Sequence, residues 1–445
     1  MKPYPPLATL LMAAQLRERG HEVALFDAML SPGPEAFVEA LERTNPDMVC
    51  IQEDNFNFLT KMCTLRMHEA AIEMIDAARA RGCRVAVNGS DATDRPALYL
   101  AAGADAVVLG DDEYAFADLA EAWRADPDAA LDGIPGLALP GPGGSVRKTA
   151  ARGAAHELDT LPFPAWDLVD VEAYRRAWTD AHGYFSWNMA TSRGCPYGCN
   201  WCAKPIFGRR YTQRSAANVA EEMRRLKDHV APDHIWFADD IFGLTAEWIR
   251  EFADEVTRRD ARTRFMMQSR VNLMRPAAVQ ALAEAGAEEV WMGVESGSQK
   301  IVDAMDKGSK VETALEATQA LRGVGIRACW FIQLGYIGET WEDLLMTRDL
   351  IREGKPDDIG VSVAYPLPGT KFHAMVKEQL GARRNWQDTD ELAMLFHGTY
   401  DTEFYKLVRD ALHHEVNTGA PDPARWAELE ALEAEHRSAD PLVLA

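Results

Sequence analysis

Between Ser186 and Ala364 the sequence repeats one rhythm six times: a short apolar run, a polar break, then an amphipathic stretch. The runs are Ser186–Thr191, His234–Ala238, Arg264–Ser269, Glu289–Glu295, Arg327–Leu334 and Ile359–Ala364. Helical patterns lie between them near Ala216–Asp228, Ala246–Arg259, Pro276–Glu284, Val311–Val324 and Trp341–Glu353. Strand–helix alternation makes the strands parallel, because each return passes through a crossover helix. Six such units predict a partial (β/α)6 TIM-type barrel, with polar residues collected at the carboxyl ends of its strands.

Residues 1–130 show a second alternation. Its apolar runs are His21–Asp27, Asp47–Gln52, Arg84–Asn88 and Ala106–Gly110, with amphipathic stretches at Pro6–Arg19, Pro34–Arg43 and Met67–Arg81. This predicts a doubly wound, Rossmann-like parallel sheet that binds its ligand outside the carboxyl ends of the strands. Those ends carry Glu53-Asp54-Asn55-Phe56-Asn57, Gly89-Ser90-Asp91 and Gly110-Asp111-Asp112-Glu113, which ordinary turn chemistry also explains. The chain enters a helix directly after Met1–Pro6, so the sheet is expected to lack its first strand. Residues 131–180, rich in Pro and Gly, read as a linker. The predicted organisation is therefore 1–130, a 131–180 linker, a 181–375 barrel and a helical extension over 376–445. The extension contains Asn385-Trp386, Tyr400, Phe404-Tyr405 and His413-His414, a candidate lid over the substrate cavity, and an acidic amphipathic helix over Arg425–His436. Adjacent helical histidines do not face one way, so His413 and His414 read as surface or interdomain residues in preference to metal ligands.

At the end of the first barrel strand stands Gly194-Cys195-Pro196-Tyr197-Gly198-Cys199-Asn200-Trp201-Cys202, a CxxxCxxC loop. Three thiolates at this spacing can hold three irons of a four-iron cluster and leave the fourth open to a small molecule. Zinc is the competing reading. A structural zinc site wants four closed ligands, and neither His182 nor His229 has ligand spacing to the cysteines. The remaining cysteines, Cys50, Cys63, Cys83 and Cys329, show no pairing logic and read as small buried apolar residues in a reduced, cytoplasmic protein. A net charge of −22 argues against a nucleic-acid surface. No apolar run approaches the ~20 residues of a membrane-spanning helix.

The cysteine loop, with an aromatic residue before its third cysteine, resembles the radical SAM superfamily. By that resemblance Cys195, Cys199 and Cys202 hold a 4Fe-4S cluster whose open iron binds S-adenosylmethionine (SAM), and the backbone of Trp201 meets the adenine. The later strand ends extend the resemblance in barrel order. Asp239-Asp240 would meet the SAM ammonium, although an Asp here also suits a helix start. Arg270 suits a carboxylate or a ribose edge. Gly293-Val294-Glu295-Ser296-Gly297 resembles the element that contacts the ribose and carboxylate. Gly335-Tyr336-Ile337-Gly338-Glu339 resembles a Gly-x-Pro-Gly-Glu loop with Ile337 in place of proline. Tyr365-Pro366-Leu367-Pro368-Gly369 resembles the adenine-side turn, and Leu158–Trp166 the lead-in before such barrels. Phe207-Gly208-Arg209-Arg210 follows the cluster loop, its arginines either balancing anions or simply exposed.

Residues 1–130 resemble the cobalamin-binding domain that precedes many radical SAM domains, as in the anaerobic magnesium-protoporphyrin ester cyclase group. Such a domain opens with a strand and a proline-rich turn. Pro3, Pro5 and Pro6 read as the remnant of that turn, and the chain as truncated or its start as assigned too late. The DxHxxG fingerprint that supplies a histidine to cobalt is absent; Asp180-Ala181-His182 begins like it but continues differently. The resemblance implies cleavage of SAM, hydrogen abstraction from an unactivated carbon of a small molecule, and C-methylation or ring closure. It also implies an external one-electron reductant such as flavodoxin or ferredoxin. Three readings stay open: a cobalamin-dependent radical SAM enzyme, a radical SAM enzyme without corrin, and a non-catalytic iron–sulfur or zinc protein.

Overall fold

The computed structural model describes residues 3–54, 56, 64–110, 114–152, 157–202, 208–381 and 392–443. Asn55, Asn57, Cys63, Asp111, Asp112, Glu113, Phe207, Asn385 and Trp386 lie outside the described residues. The chain divides into two compact units, one within residues 1–195 and 204–238, the other within 196–203, 239–384 and 388–445.

The first unit contains a five-stranded sheet in sequential order: β1 (Met48–Gln52), β2 (Arg84–Asn88), β3 (Ala106–Val108), β4 (Leu137–Pro140) and β5 (Val146–Lys148). The first three are parallel, and β4 and β5 add an antiparallel hairpin. Side chains alternate across a sheet, and here both faces are apolar. Val49, Ile51, Val85, Val87 and Val107 join one core with Ile75 and Tyr99. Ala86, Ala106 and Val108 join another with Met12, Phe116 and Leu119. Helices therefore cover both faces, as a doubly wound sheet requires.

The predicted strand His21–Asp27 does not form a ladder. In a 2-1-3-4-5 order the second strand pairs only with the first, and among the described residues no strand precedes it. The segment is held instead by side chains: Val23 packs near Ala13 and Ala165, and the Phe26 and Phe37 rings lie 5.2 Å apart. The segment read as linker also differs. It supplies the β4–β5 hairpin, closed by Gly141 N–H to Ser145 O at 2.7 Å, and the helix Val171–His182.

Two more parallel strands, β6 (Ser186–Met189) and, after the short antiparallel ribbon of β7 (Ser192–Arg193) and β8 (Thr212–Gln213), β9 (His234–Phe237), belong to the first unit. The Pro3–Pro6 segment is pinned to β6 and its neighbour. The Asn188 amide donates to Pro5 O at 2.9 Å, the Trp178 indole to Pro3 O at 2.8 Å, and the Tyr4 and Ser186 hydroxyls stand 3.0 Å apart.

The second unit carries β10 (Arg264–Ser269), β11 (Ala287–Glu295), β12 (Arg327–Leu334) and β13 (Asp358–Val363), each parallel to the next. Crossover helices Pro276–Ala285, Thr313–Gly323 and Trp341–Gly354 connect them. The molecule is thus α/β, a Rossmann-like sheet region followed by barrel-like strand–helix units. The C-terminal helices Thr402–Thr418 and Pro423–Leu432 close on this unit: the Trp341 ring lies tilted 6.0 Å from Phe404 and 5.9 Å from Trp426, and Arg352 pairs with Glu415 at 2.6 Å. Asp422 caps the last helix by accepting from Arg425 N–H. No helix among the described residues is long and apolar enough to cross a membrane.

Candidate functional site

The cysteine loop leaves β7 through Gly194, whose φ is +78°. A Cβ there would collide with the Arg210 carbonyl and stand 2.9 Å from the Gly208 carbonyl, so only glycine fits. The same approach lets Cys195 N–H donate to Gly208 O at 3.2 Å, which fixes the start of the loop against the strand that returns as β8. Arg214, after β8, is nearly buried. It pairs with buried Glu222 and donates to Ala190 O at 2.9 Å, locking this return in place.

In the second unit the rest of the loop is anchored by residues that the sequence did not single out for the site. Buried Asn200 donates its backbone N–H to Met305 O at 3.0 Å and its amide to Ala304 O at 2.8 Å. Its amide oxygen accepts from the Tyr336 hydroxyl at 2.9 Å, and its carbonyl from Phe372 N–H at 3.1 Å. Burial, partly offset by that hydrogen bond, raises the Tyr336 hydroxyl to about 12, so it remains a neutral donor. Four bonds thus hold the residue one step beyond Cys199.

Cys199 is 8 % exposed, and the Arg270 guanidinium donates to its sulfur at 3.4 Å. Arg270 also donates to Asn272 Oδ1 at 3.3 Å and to Lys307 O, and its plane lies 3.9 Å over the Tyr197 ring. Lys307 is in turn ion-paired with Glu295, both 5 % exposed at the side chain. Glu295 ends β11 at a register break and takes φ +70°, a left-handed conformation that non-glycine residues seldom adopt. The structure therefore brings Cys199, Arg270, Lys307 and Glu295 into one connected chain. Lys307 was missed because nothing local in Met305-Asp306-Lys307-Gly308 announces a partner; in the structure it lies between two residues of positive φ, Asp306 and Gly308.

Other expected site residues sit differently. The hydroxyl of wholly buried Ser296 meets Thr347 Oγ1 at 3.2 Å and accepts from Ser298 N–H at 3.1 Å, so it holds its own turn against the helix Trp341–Gly354. Gly335 has φ +74°, donates its N–H to Glu339 Oε2 at 2.7 Å, and lies where a Cβ would meet Met394 Sδ at 2.9 Å and Tyr405 at 3.2 Å. The C-terminal extension thus packs directly on the loop after β12. Burial pushes Glu339 up to about 8, with the Gly335 N–H opposing the shift. Trp201 is half-buried, Asp239 is 2 % exposed beside half-buried Asp240, and Tyr365 is 8 % exposed with its carbonyl accepting from Leu367 N–H at 3.0 Å.

None of the six described cysteines is in a disulfide. Among the described residues no three His, Cys, Asp or Glu side chains converge as a single-ion site. Three thiols in one short loop, one beside a buried guanidinium, suit an anionic iron–sulfur group.

The radical SAM superfamily model matches residues 189–351, and the B12 binding domain model matches residues 2–120. An uncharacterized methyltransferase of Pyrococcus horikoshii is 26% identical over 92% of this chain and 86% of its own length. The hopanoid C-3 methylase of Methylococcus capsulatus is 26% identical over 85% of this chain and 70% of its own. Among solved structures, the radical SAM methyltransferase TsrM of Kitasatospora setae, with cobalamin and a [4Fe-4S] cluster bound, superposes with a TM-score of 0.70 at 22% identity, over 86% of this chain and 77% of that one. At that identity the likeness is one of fold.

Proposed function

Because the chain is a radical SAM enzyme with a B12 binding domain ahead of that core, we propose that it is a cobalamin-dependent C-methyltransferase acting on a small molecule. The observation that carries this reading is the pairing of the two domains with a built cysteine loop, in which Gly194, Asn200 and Arg270 each hold the backbone or a sulfur in place. Methyltransferase names among the relatives support methyl transfer, and ring closure stays the alternative reading because cyclase names of similar identity stand beside them.

In this reading Cys195, Cys199 and Cys202 hold the 4Fe-4S cluster. When bound, the cluster supplies one electron to cleave SAM, and the corrin supplies a methyl group. The protein orients and excludes water. Asp239 and Asp240 receive the SAM ammonium, Glu295 a ribose hydroxyl, and the backbones at Trp201, Gly335 and Tyr365 line the adenine; Ser296 keeps the Glu295 turn rigid. The electron comes from an external one-electron carrier such as a flavodoxin or ferredoxin, in a reducing cytoplasm. With a net charge of −22, nucleic acid is not a partner.

The test is corrin retention. Anaerobically reconstituted protein, incubated with hydroxocobalamin and desalted, is expected to keep about one corrin per chain, as one B12 binding domain requires, and to transfer label from methyl-labelled SAM to an extract metabolite. A protein that cleaves SAM yet retains no corrin contradicts the cobalamin part and leaves a radical SAM enzyme whose N-terminal domain only shapes the site.

A further inference from the structure

We propose that Arg270 sets the reduction potential of the cluster held by Cys199, by hydrogen-bonding the ligand sulfur, rather than binding SAM. This rests on the cluster reading above. Each guanidinium nitrogen already makes a hydrogen bond, which takes three of the five N–H donors: Nη1 to Cys199 Sγ at 3.4 Å, Nε to Asn272 Oδ1 at 3.3 Å, and Nη2 to Lys307 O. One face is covered by the Tyr197 ring at 3.9 Å. Arginine binds carboxylates by a two-pronged fork, and here the two Nη prongs point to different partners. The guanidinium is instead seated for the sulfur.

The consequence is electrostatic. Reduction adds one negative charge to the cluster, and part of it resides on the ligand sulfurs. A fixed cation donating to one sulfur stabilises the reduced form more than the oxidised form and raises the potential; hydrogen bonds to sulfur, net charge and exposure are the protein's levers on such clusters. Arg270 is 6 % and Cys199 8 % exposed, so water screens the interaction little. The anchors keep the donor in position: Lys307, whose carbonyl receives Nη2, is tied to Glu295, and Asn200 holds the residue after Cys199. Arg270 is thus a positioning residue that acts through Cys199.

The test uses the full chain, anaerobically reconstituted, with iron and sulfide quantified and the cluster titrated potentiometrically by electron paramagnetic resonance. Arg270→Met is expected to shift the midpoint to more negative potential, and Arg270→Lys to shift it less, while SAM affinity measured on the oxidised protein changes less than threefold. A fully loaded Arg270→Met at the wild-type potential overturns the proposal. So does a wild-type potential accompanied by a tenfold or larger loss of SAM affinity, which would return Arg270 to SAM. Should Arg270→Met take up no cluster, wild-type protein carrying guanidino-15N arginine decides: a weak 15N coupling in the reduced cluster, lost in Arg270→Lys, supports the hydrogen bond, and its absence overturns it. A wild-type chain that binds no iron–sulfur cluster would instead remove the cluster reading itself.

Discussion

Lys307 and Glu295 form a salt bridge with both side chains 5 % exposed, and the Glu295 backbone is held at φ +70° beside it. Breaking a buried pair from one side leaves an uncompensated charge, which costs about 3–5 kcal/mol. Lys307→Met is therefore expected to lower urea stability by an amount of that order, and Lys307→Met with Glu295→Gln to recover most of it; a single variant within ~0.5 kcal/mol of wild type would show the pair to be solvated. Gly194 makes a second demand at this scale. Ala is unfavourable at its φ of +78°, and its Cβ would press on the Arg210 carbonyl that borders the Cys195 turn. Gly194→Ala should fold with unchanged circular dichroism in the far ultraviolet yet take up much less iron. Wild-type iron content in that variant would mean that the Cys195 turn does not depend on the close approach.

At the scale of elements, the loop from β12 into the helix Trp341–Gly354 couples the barrel-like unit to its C-terminal extension through Glu339, Met394 and Tyr405. Burial raises the Glu339 carboxyl from its ordinary 4.5 to about 8, so the folded state holds this proton more tightly than the unfolded chain does. Its contribution to stability is complete below about 4.5 and is lost as pH rises through about 8. Wild-type stability should fall between pH 6 and pH 8.5 relative to Glu339→Gln, which keeps an acceptor for Gly335 N–H; parallel curves for the two proteins would refute the buried proton. The barrel strands were legible because each apolar run is buried in its sheet, and observed ends such as Arg264–Ser269 and Arg327–Leu334 coincide with the expected ones. The His21–Asp27 run read equally well, but a strand needs a neighbour as well as a pattern. The β4–β5 hairpin escaped notice for the opposite reason: its strands span three or four residues, and Gly141-Pro142-Gly143-Gly144 looks the same in a hairpin loop as in a linker. The cysteine loop stood out as a candidate because its spacing is local. Lys307, Asn200 and Tyr336 did not stand out, because their partners are set by the tertiary fold and not by any local motif: Glu295 for Lys307, and Ala304 for both Asn200 and Tyr336.

At the scale of the whole molecule, a B12 binding domain and a radical SAM core occupy one chain. That arrangement has chemical meaning only if the cysteine loop holds a cluster able to reduce SAM, because every other assigned residue serves that event. The most direct measurement is therefore 5′-deoxyadenosine release. Anaerobically reconstituted protein given SAM and a strong one-electron reductant should produce 5′-deoxyadenosine, detected by mass spectrometry, and Cys199→Ala, Cys195→Ala and Cys202→Ala should each reduce it to background. Release that persists in the Cys199→Ala protein, or wild-type protein that carries a full cluster and leaves SAM intact, would contradict the account.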